Sequence, residues 1–140
     1  EPFSKNEHYH PSYTRFTERT DSPWLATSYH RLIKPDVNQL WRNHLLVEAV
    51  LHHPKSKYTA GHSMVIYHSL DESCTTSLQT YRNLLKPGYV GFTDFTIDHL
   101  LDLWMPLVTA MADQDWLMEF RKRYVDLSLS EQDFLAIRHK

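Results

Sequence analysis

The stretch Asp36-Val-Asn-Gln-Leu-Trp-Arg-Asn-His-Leu-Leu-Val-Glu-Ala-Val-Leu-His-His53, closed by Pro54, decides how the rest of the sequence is read. Val37, Leu40, Trp41 and Leu45, with most of Val47 to Leu51, spread apolar side chains round more of a helix than a surface stripe needs. The pattern predicts one long helix buried on more than one side, and Pro54, which cannot continue the hydrogen-bond ladder, ends it. Gln39, Arg42 and Asn43, three and four residues apart, form a polar cluster on one face of its first turns. His44 reads as a hydrogen-bonded histidine of the core or its boundary.

Toward the N-terminus, Pro35 suits the first turn of that helix. Before it, Ser22 as a cap, Pro23 as a first helical residue and the apolar Trp24, Leu25, Tyr29 and Leu32 predict a short helix ending near Ile33. Residues 1–20, EPFSKNEHYHPSYTRFTERT, show no sustained period and read as an irregular lead-in. Toward the C-terminus, a polar connector over 55–62 leads to Ser63-Met-Val-Ile-Tyr-His68, read as a strand buried on both faces. Cys74, Leu78, Tyr81 and Leu85 mark one face of a helix that stops at Lys86-Pro87-Gly88. Tyr89 to Phe95 fits a second strand, with Gly91 at a bulge or a close backbone approach. Thr96 is the expected N-cap of the next helix, Pro106 is expected to kink or split it, and Asp113-Gln-Asp-Trp116 starts another with an apolar face of Trp116, Leu117, Phe120 and Tyr124. The tail, 127–140, adds at most a short turn or helix.

The order helix, strand, helix, strand, helix predicts a helix-rich α/β protein whose strands are joined by helical crossovers. Its 140 residues fit one domain, or a C-terminal fragment of one, with the lead-in at 1–20, a core at 21–126 and the tail at 127–140. Two strands make a small sheet, and any further strands are expected before Glu1.

Three glycines exclude a glycine-rich phosphate loop, and a formal charge of −2 gives no global pull toward nucleic acid. No apolar run reaches the roughly 18 residues of a membrane span and no signal peptide opens the chain, so the expectation is a cytoplasmic protein with no membrane partner. The single Cys74 reads as a small core residue. Ten histidines show none of the paired spacings of a zinc site, and no GxSxG elbow is present. The acid pairs Asp98 with Asp102 and Asp113 with Asp115 have the character of solvated helix faces, as does Arg121-Lys122-Arg123.

Gln39-Leu-Trp-Arg-Asn-His-Leu-Leu46, then Met64-Val-Ile-Tyr67, then Ser77-Leu-Gln-Thr-Tyr-Arg-Asn-Leu-Leu85, and finally Phe92-Thr-Asp-Phe-Thr-Ile-Asp-His-Leu-Leu101 follow one another in an order that resembles the C-terminal part of restriction-endonuclease-like bacterial proteins of the PD-(D/E)XK nuclease superfamily. The resemblance covers about residues 24–125. It implies a restriction-endonuclease-like sheet flanked by helices, here incomplete at the N-terminus. It also implies DNA as a partner, and magnesium as the cofactor of an intact member.

That family's chemistry needs an acidic metal ligand followed by Asp/Glu-x-Lys, which gathers carboxylate oxygens round the metal and activates water. The residues two before each lysine are Phe3, Leu32, His53, Lys55, Leu84, Phe120 and Arg138, so the motif is absent from this sequence. The resemblance therefore implies a fragment or degenerate nuclease domain without phosphodiester cleavage of its own, partnered by a missing N-terminal half or another protein, and with no cofactor ligands of its own. On that reading Glu1 lies near the missing site, and Gln39 and Arg42 contact phosphate or orient a catalytic group. Arg42, Arg121, Lys122 and Arg123 are the nucleic-acid-binding candidates. The other reading makes Gln39, Arg42 and Asn43 a structural polar cluster and the chain a noncatalytic protein- or nucleic-acid-binding module.

Overall fold

A computed structural model describes residues 11–128. Its elements are α1 (Pro11–Thr17), α2 (Tyr29–Leu32), α3 (Asn38–Leu51), β1 (Ser63–Tyr67), α4 (Glu72–Arg82), β2 (Phe92–Thr96), α5 (Ile97–Trp104), a 3₁₀ turn at Met105–Leu107, and α6 (Met111–Tyr124). The strands β1 and β2 pair in a two-stranded parallel sheet, with α4 as the crossover between them. The chain is thus α/β and helix-rich, as the sequence predicts. Glu1, His8, His10 and the tail beyond Ser128 lie outside the described residues.

The described residues form two compact units, one from 11–64 together with Glu72–Thr93, the other from Val65–Asp71 together with 94–128. The first is built round α3. Trp41, Leu45, Val37, Leu32, Trp24 and Tyr81 form its core, and each such side chain removed from water contributes roughly 1.5–3 kcal/mol. Trp41 is gripped on both flanks: Tyr13 of α1 and Tyr29 of α2 meet its ring edge-on at 5.9 and 5.8 Å. Its indole N–H donates to the buried Thr17 hydroxyl at 3.0 Å, and that hydroxyl donates to the Tyr13 carbonyl at 2.8 Å.

These contacts explain two departures from the sequence reading. The lead-in is not irregular over Pro11–Thr17, because docking on Trp41 stabilises a helix too short to stand alone. No helix starts at Ser22, whose hydroxyl donates to the Thr17 carbonyl instead of capping. Trp24 instead forms an antiparallel bridge with Leu85, with Leu25 N–H donating to Leu84 O and Lys86 N–H to Pro23 O. A tertiary backbone partner has overridden the local cap-and-proline signal, leaving only Tyr29–Leu32 helical.

The long helix itself buries one stripe and no more: Trp41, His44, Leu45 and Glu48, at helical spacings of three, one and three. Leu46 and Val50 on its other side are 67% and 49% exposed, which corrects the expectation of burial on several sides. Likewise β1 is not buried on both faces, since Met64 and Ile66 point to an open face and are 53% and 48% exposed.

In the second unit Thr96 caps α5, its hydroxyl accepting from the His99 N–H at 3.4 Å as anticipated, and Pro106 converts the helix end into the 3₁₀ turn. Leu100 and Leu101 of α5 and Leu117 of α6 are buried. The remaining rings of the expected apolar face, Trp116, Phe120 and Tyr124, stack along the outside of α6 at centroid spacings of 5.3 and 4.7 Å. Arg121 forms an ion pair with Asp102.

Candidate functional site

The polar members of the buried stripe, His44 and Glu48, are one helical turn apart on α3 and therefore lie on the same face. His44 belongs to a continuous chain of hydrogen bonds inside the first unit. The Trp24 indole N–H donates to the Tyr81 hydroxyl at 3.0 Å, that hydroxyl is 2.9 Å from His44 Nδ1, and His44 Nε2 is 3.0 Å from the Tyr89 hydroxyl. The Glu48 charge acts on the Tyr89 hydroxyl, and its carboxylate lies 3.3 Å from His52 Nε2.

An indole nitrogen can only donate, so Trp24 gives its proton to the Tyr81 hydroxyl. The neutral His44 ring carries one N–H and one bare nitrogen, so it donates to one of the two tyrosine hydroxyls and accepts from the other.

The environment keeps the imidazole neutral. Burial, reinforced by repulsion from His62, lowers the His44 pKa from 6.5 to about 4. Burial pushes the Tyr81 hydroxyl far above its ordinary range, while burial and then the Glu48 charge push Tyr89 up to about 12. Trp24, Tyr89 and Phe92 surround the imidazole, with Phe92 stacked on it at 5.8 Å. Because both ring nitrogens are engaged, the chain's chemical capacity is to lock α3, α4 and the segment before β2 to one another. It is not set up to take a proton from a ligand.

Gly91 makes this arrangement possible. A Cβ at that position would fall on the Tyr89 hydroxyl, so the close backbone approach anticipated for Gly91 is real and specific to Tyr89. Beside Tyr89 opens a cavity of about 470 Å³ whose lining includes Leu25, Arg82, Asn83, Leu85, Lys86 and Tyr89.

The residues that the sequence singled out belong to different units. Gln39 donates its amide N–H to the Asn43 side chain at 2.9 Å, one turn further along the exposed side of α3, and Arg42 is exposed beside them. Arg121, Lys122 and Arg123 form the last turn of α6, where Arg121 is engaged with Asp102 and with the Asp98 carbonyl at 3.5 Å, and Arg123 lies over the Tyr124 ring at 5.5 Å. Sequence reasoning found His44 and missed Tyr81 and Tyr89 as its partners, and Glu48 as the charge acting on Tyr89. One signal was available: a carboxylate four residues after His44, on the face that Trp41 and Leu45 mark as buried.

Comparison with known proteins gives one family. A family model described as the PD-(D/E)XK nuclease superfamily matches residues 1–126, most of the chain. No curated protein and no solved structure matches it.

Proposed function

Since the chain belongs to the PD-(D/E)XK nuclease superfamily, we propose that it is a fragment or degenerate form of such a nuclease domain and does not cleave phosphodiester bonds on its own. The observation that carries this reading is the absence of Asp/Glu-x-Lys anywhere in the 140 residues. Without that acid and lysine the chain lacks the groups that would bind a divalent metal and assist the attacking water. Among the described residues no group of three His, Cys, Asp or Glu side chains is placed to hold a metal ion. The elements that are present, a helix-flanked strand pair and the helices α3 and α4 joined by the His44 network, serve on this reading as the support of a site.

Incubating the purified chain with plasmid and single-stranded DNA, in magnesium and separately in manganese, tests the proposal. No cleavage above a buffer control is expected. Robust, metal-dependent cleavage that copurifies with the folded chain would sink it.

The second reading, a noncatalytic binding module, is favoured by one specific feature, the two cations lining the cavity beside Tyr89. DNA retention that falls steeply with added salt, without cleavage, supports a nucleic-acid surface, whereas salt-insensitive association supports a protein partner.

A further inference from the structure

The exposed side of α3 opens onto an apolar groove inside the first unit. Leu46 and Val50, one turn apart on that side, line it together with Tyr58 of the segment that follows the helix. Two hollows of about 380 and 440 Å³ share these three residues, so they form one continuous depression with Tyr58 in its middle. Every wall residue lies between 46 and 62, within the first unit. Leu46, Val50 and Tyr58 are all exposed, and gathered in this way they make a patch rather than the scattered single residues of an ordinary surface.

The groove is shaped before anything binds. Gly61 lies so close to α3 that a Cβ there would come within 2.6 Å of Val47 Cγ1. The turn out of the helix is tied by the Ser56 N–H, which donates to the His53 carbonyl at 2.8 Å, and by the Lys55 N–H, which donates to His53 Nδ1 at 3.2 Å. The Tyr58 N–H donates to the Ser56 hydroxyl at 3.1 Å. Walls set in advance reduce the entropy lost when a partner arrives.

Its charge has one sign. The same turn places Lys55 and Lys57 in the lining of one hollow, and Lys57 Nζ lies over the Tyr58 ring at 5.7 Å. No carboxylate is among the described residues lining either hollow, and neither lysine enters an ion pair among the described residues. A cationic rim beside an apolar floor complements an apolar stripe with an acidic flank. Hollows receive projecting side chains, which a helix supplies at spacings of three and four and a bilayer surface does not. The walls belong to a helix and a turn, so they offer an extended peptide no strand edge to pair with.

We propose that this groove docks an acidic amphipathic helix of a protein partner, with apolar side chains of that helix in the hollows beside Tyr58 and its carboxylates against Lys55 and Lys57. The inference goes beyond both readings above. It holds whether or not the chain cleaves DNA, and the groove shares no residue with the cavity beside Tyr89, so failure of the one leaves the other standing.

Fluorescence anisotropy on the full chain with two labelled peptides provides the test. The acidic probe is a helical peptide of about 15 residues with leucines at spacings of three and four and glutamates on their flanks, and the basic probe has lysine in place of each glutamate. The acidic probe is expected to bind at least about tenfold more tightly than the basic one. Leu46→Ser should weaken it about tenfold, and Lys55→Glu combined with Lys57→Glu should reverse the order of the two probes. The denaturant midpoint, measured alongside, should stay in place for both variants, because all three side chains are at the surface. Equal affinity for the two probes, affinity indifferent to Leu46→Ser, or no binding of the acidic probe overturns the proposal. Binding of phosphatidylserine vesicles or of DNA through Leu46, without binding of the acidic probe, identifies a different occupant and overturns it as well.

Discussion

Acidification should unfasten the first unit through His44. Its pKa is about 4 in the folded chain against 6.5 when unhindered, a difference of about 2.5 units, equivalent to roughly 3 kcal/mol. The folded value is depressed, so between the two values the unfolded chain binds the extra proton. The contribution of neutral His44 is therefore complete above about pH 6.5 and is lost as the pH falls toward 4. Moving from neutral pH to about pH 4.5 should cost on the order of 2.5 kcal/mol from this residue. The cause is local: an imidazolium would carry protons on both ring nitrogens, so the tyrosine hydroxyl that now donates to one of them would lose its acceptor, and the charge would sit on a fully buried ring beside Trp24 and Phe92. Other groups titrate lower, since Asp21 and Asp36, held down by hydrogen bonds from Arg19 and Arg31, lose their share only below the ordinary carboxylate range. Urea unfolding followed by tryptophan fluorescence across this pH range measures the effect, with His44→Gln as the reference. The wild type should lose stability steeply between about pH 6.5 and 4.5 and His44→Gln should be nearly flat there. Equal slopes for the two proteins would refute the assignment of a buried, neutral His44.

Three further perturbations probe the surroundings of this residue and the faces round it. Gly91→Ala should displace the Tyr89 hydroxyl and leave His44 Nε2 unpaired, at about 1–3 kcal/mol by denaturant midpoint. Tyr89→Phe breaks the same bond, so the double variant should fall short of the sum of the two, and strict additivity would show that they act independently. On α3, Trp41→Ala should cost about 3–5 kcal/mol, whereas Leu46→Ser, on the exposed side, should change stability by no more than about 0.5 kcal/mol in the same assay. Separately, a double-mutant cycle of Arg121→Ala and Asp102→Ala should return a coupling below about 1 kcal/mol, because both side chains are substantially open to solvent, and the coupling should shrink further in high salt.

How far the fold was legible depended on whether its signals were local. Thr96 caps the helix it precedes and Pro106 breaks the helix it sits in, because capping and the missing proline N–H act within one turn. The periodicity of Leu78 and Tyr81 likewise reported the buried face of α4. Ser22-Pro23 failed as a helix start because its decisive partners, Thr17 and the Leu84 to Lys86 segment, are set by the tertiary fold. Composition also misled at α3: Leu46 and Val50 raise its apolar content without being buried, so counting hydrophobic residues overestimated the number of packed sides.

The hydrogen-bond chain was illegible for a different reason. All four of its residues, Trp24, Tyr81, His44 and Tyr89, are aromatic or imidazole side chains with both an apolar body and a polar tip, and a hydropathy pattern registers the body alone. Tyr81 counted as an apolar position on α4, and Tyr89 as a residue of a strand that in fact begins three residues later, at Phe92. What joins them is the requirement that every buried donor meet an acceptor, which becomes visible only when Trp24, His44, Tyr81 and Tyr89 are in place. That requirement also gives the network its structural consequence. Apolar contacts among α3, α4 and the segment before β2 tolerate small slips, but a chain of hydrogen bonds from the Trp24 indole through Tyr81 and His44 to Tyr89 does not, since a shift in any member leaves a buried group unpaired. Gly91 is the position at which this demand reaches back into the sequence, because only a residue without a side chain lets Tyr89 close the chain.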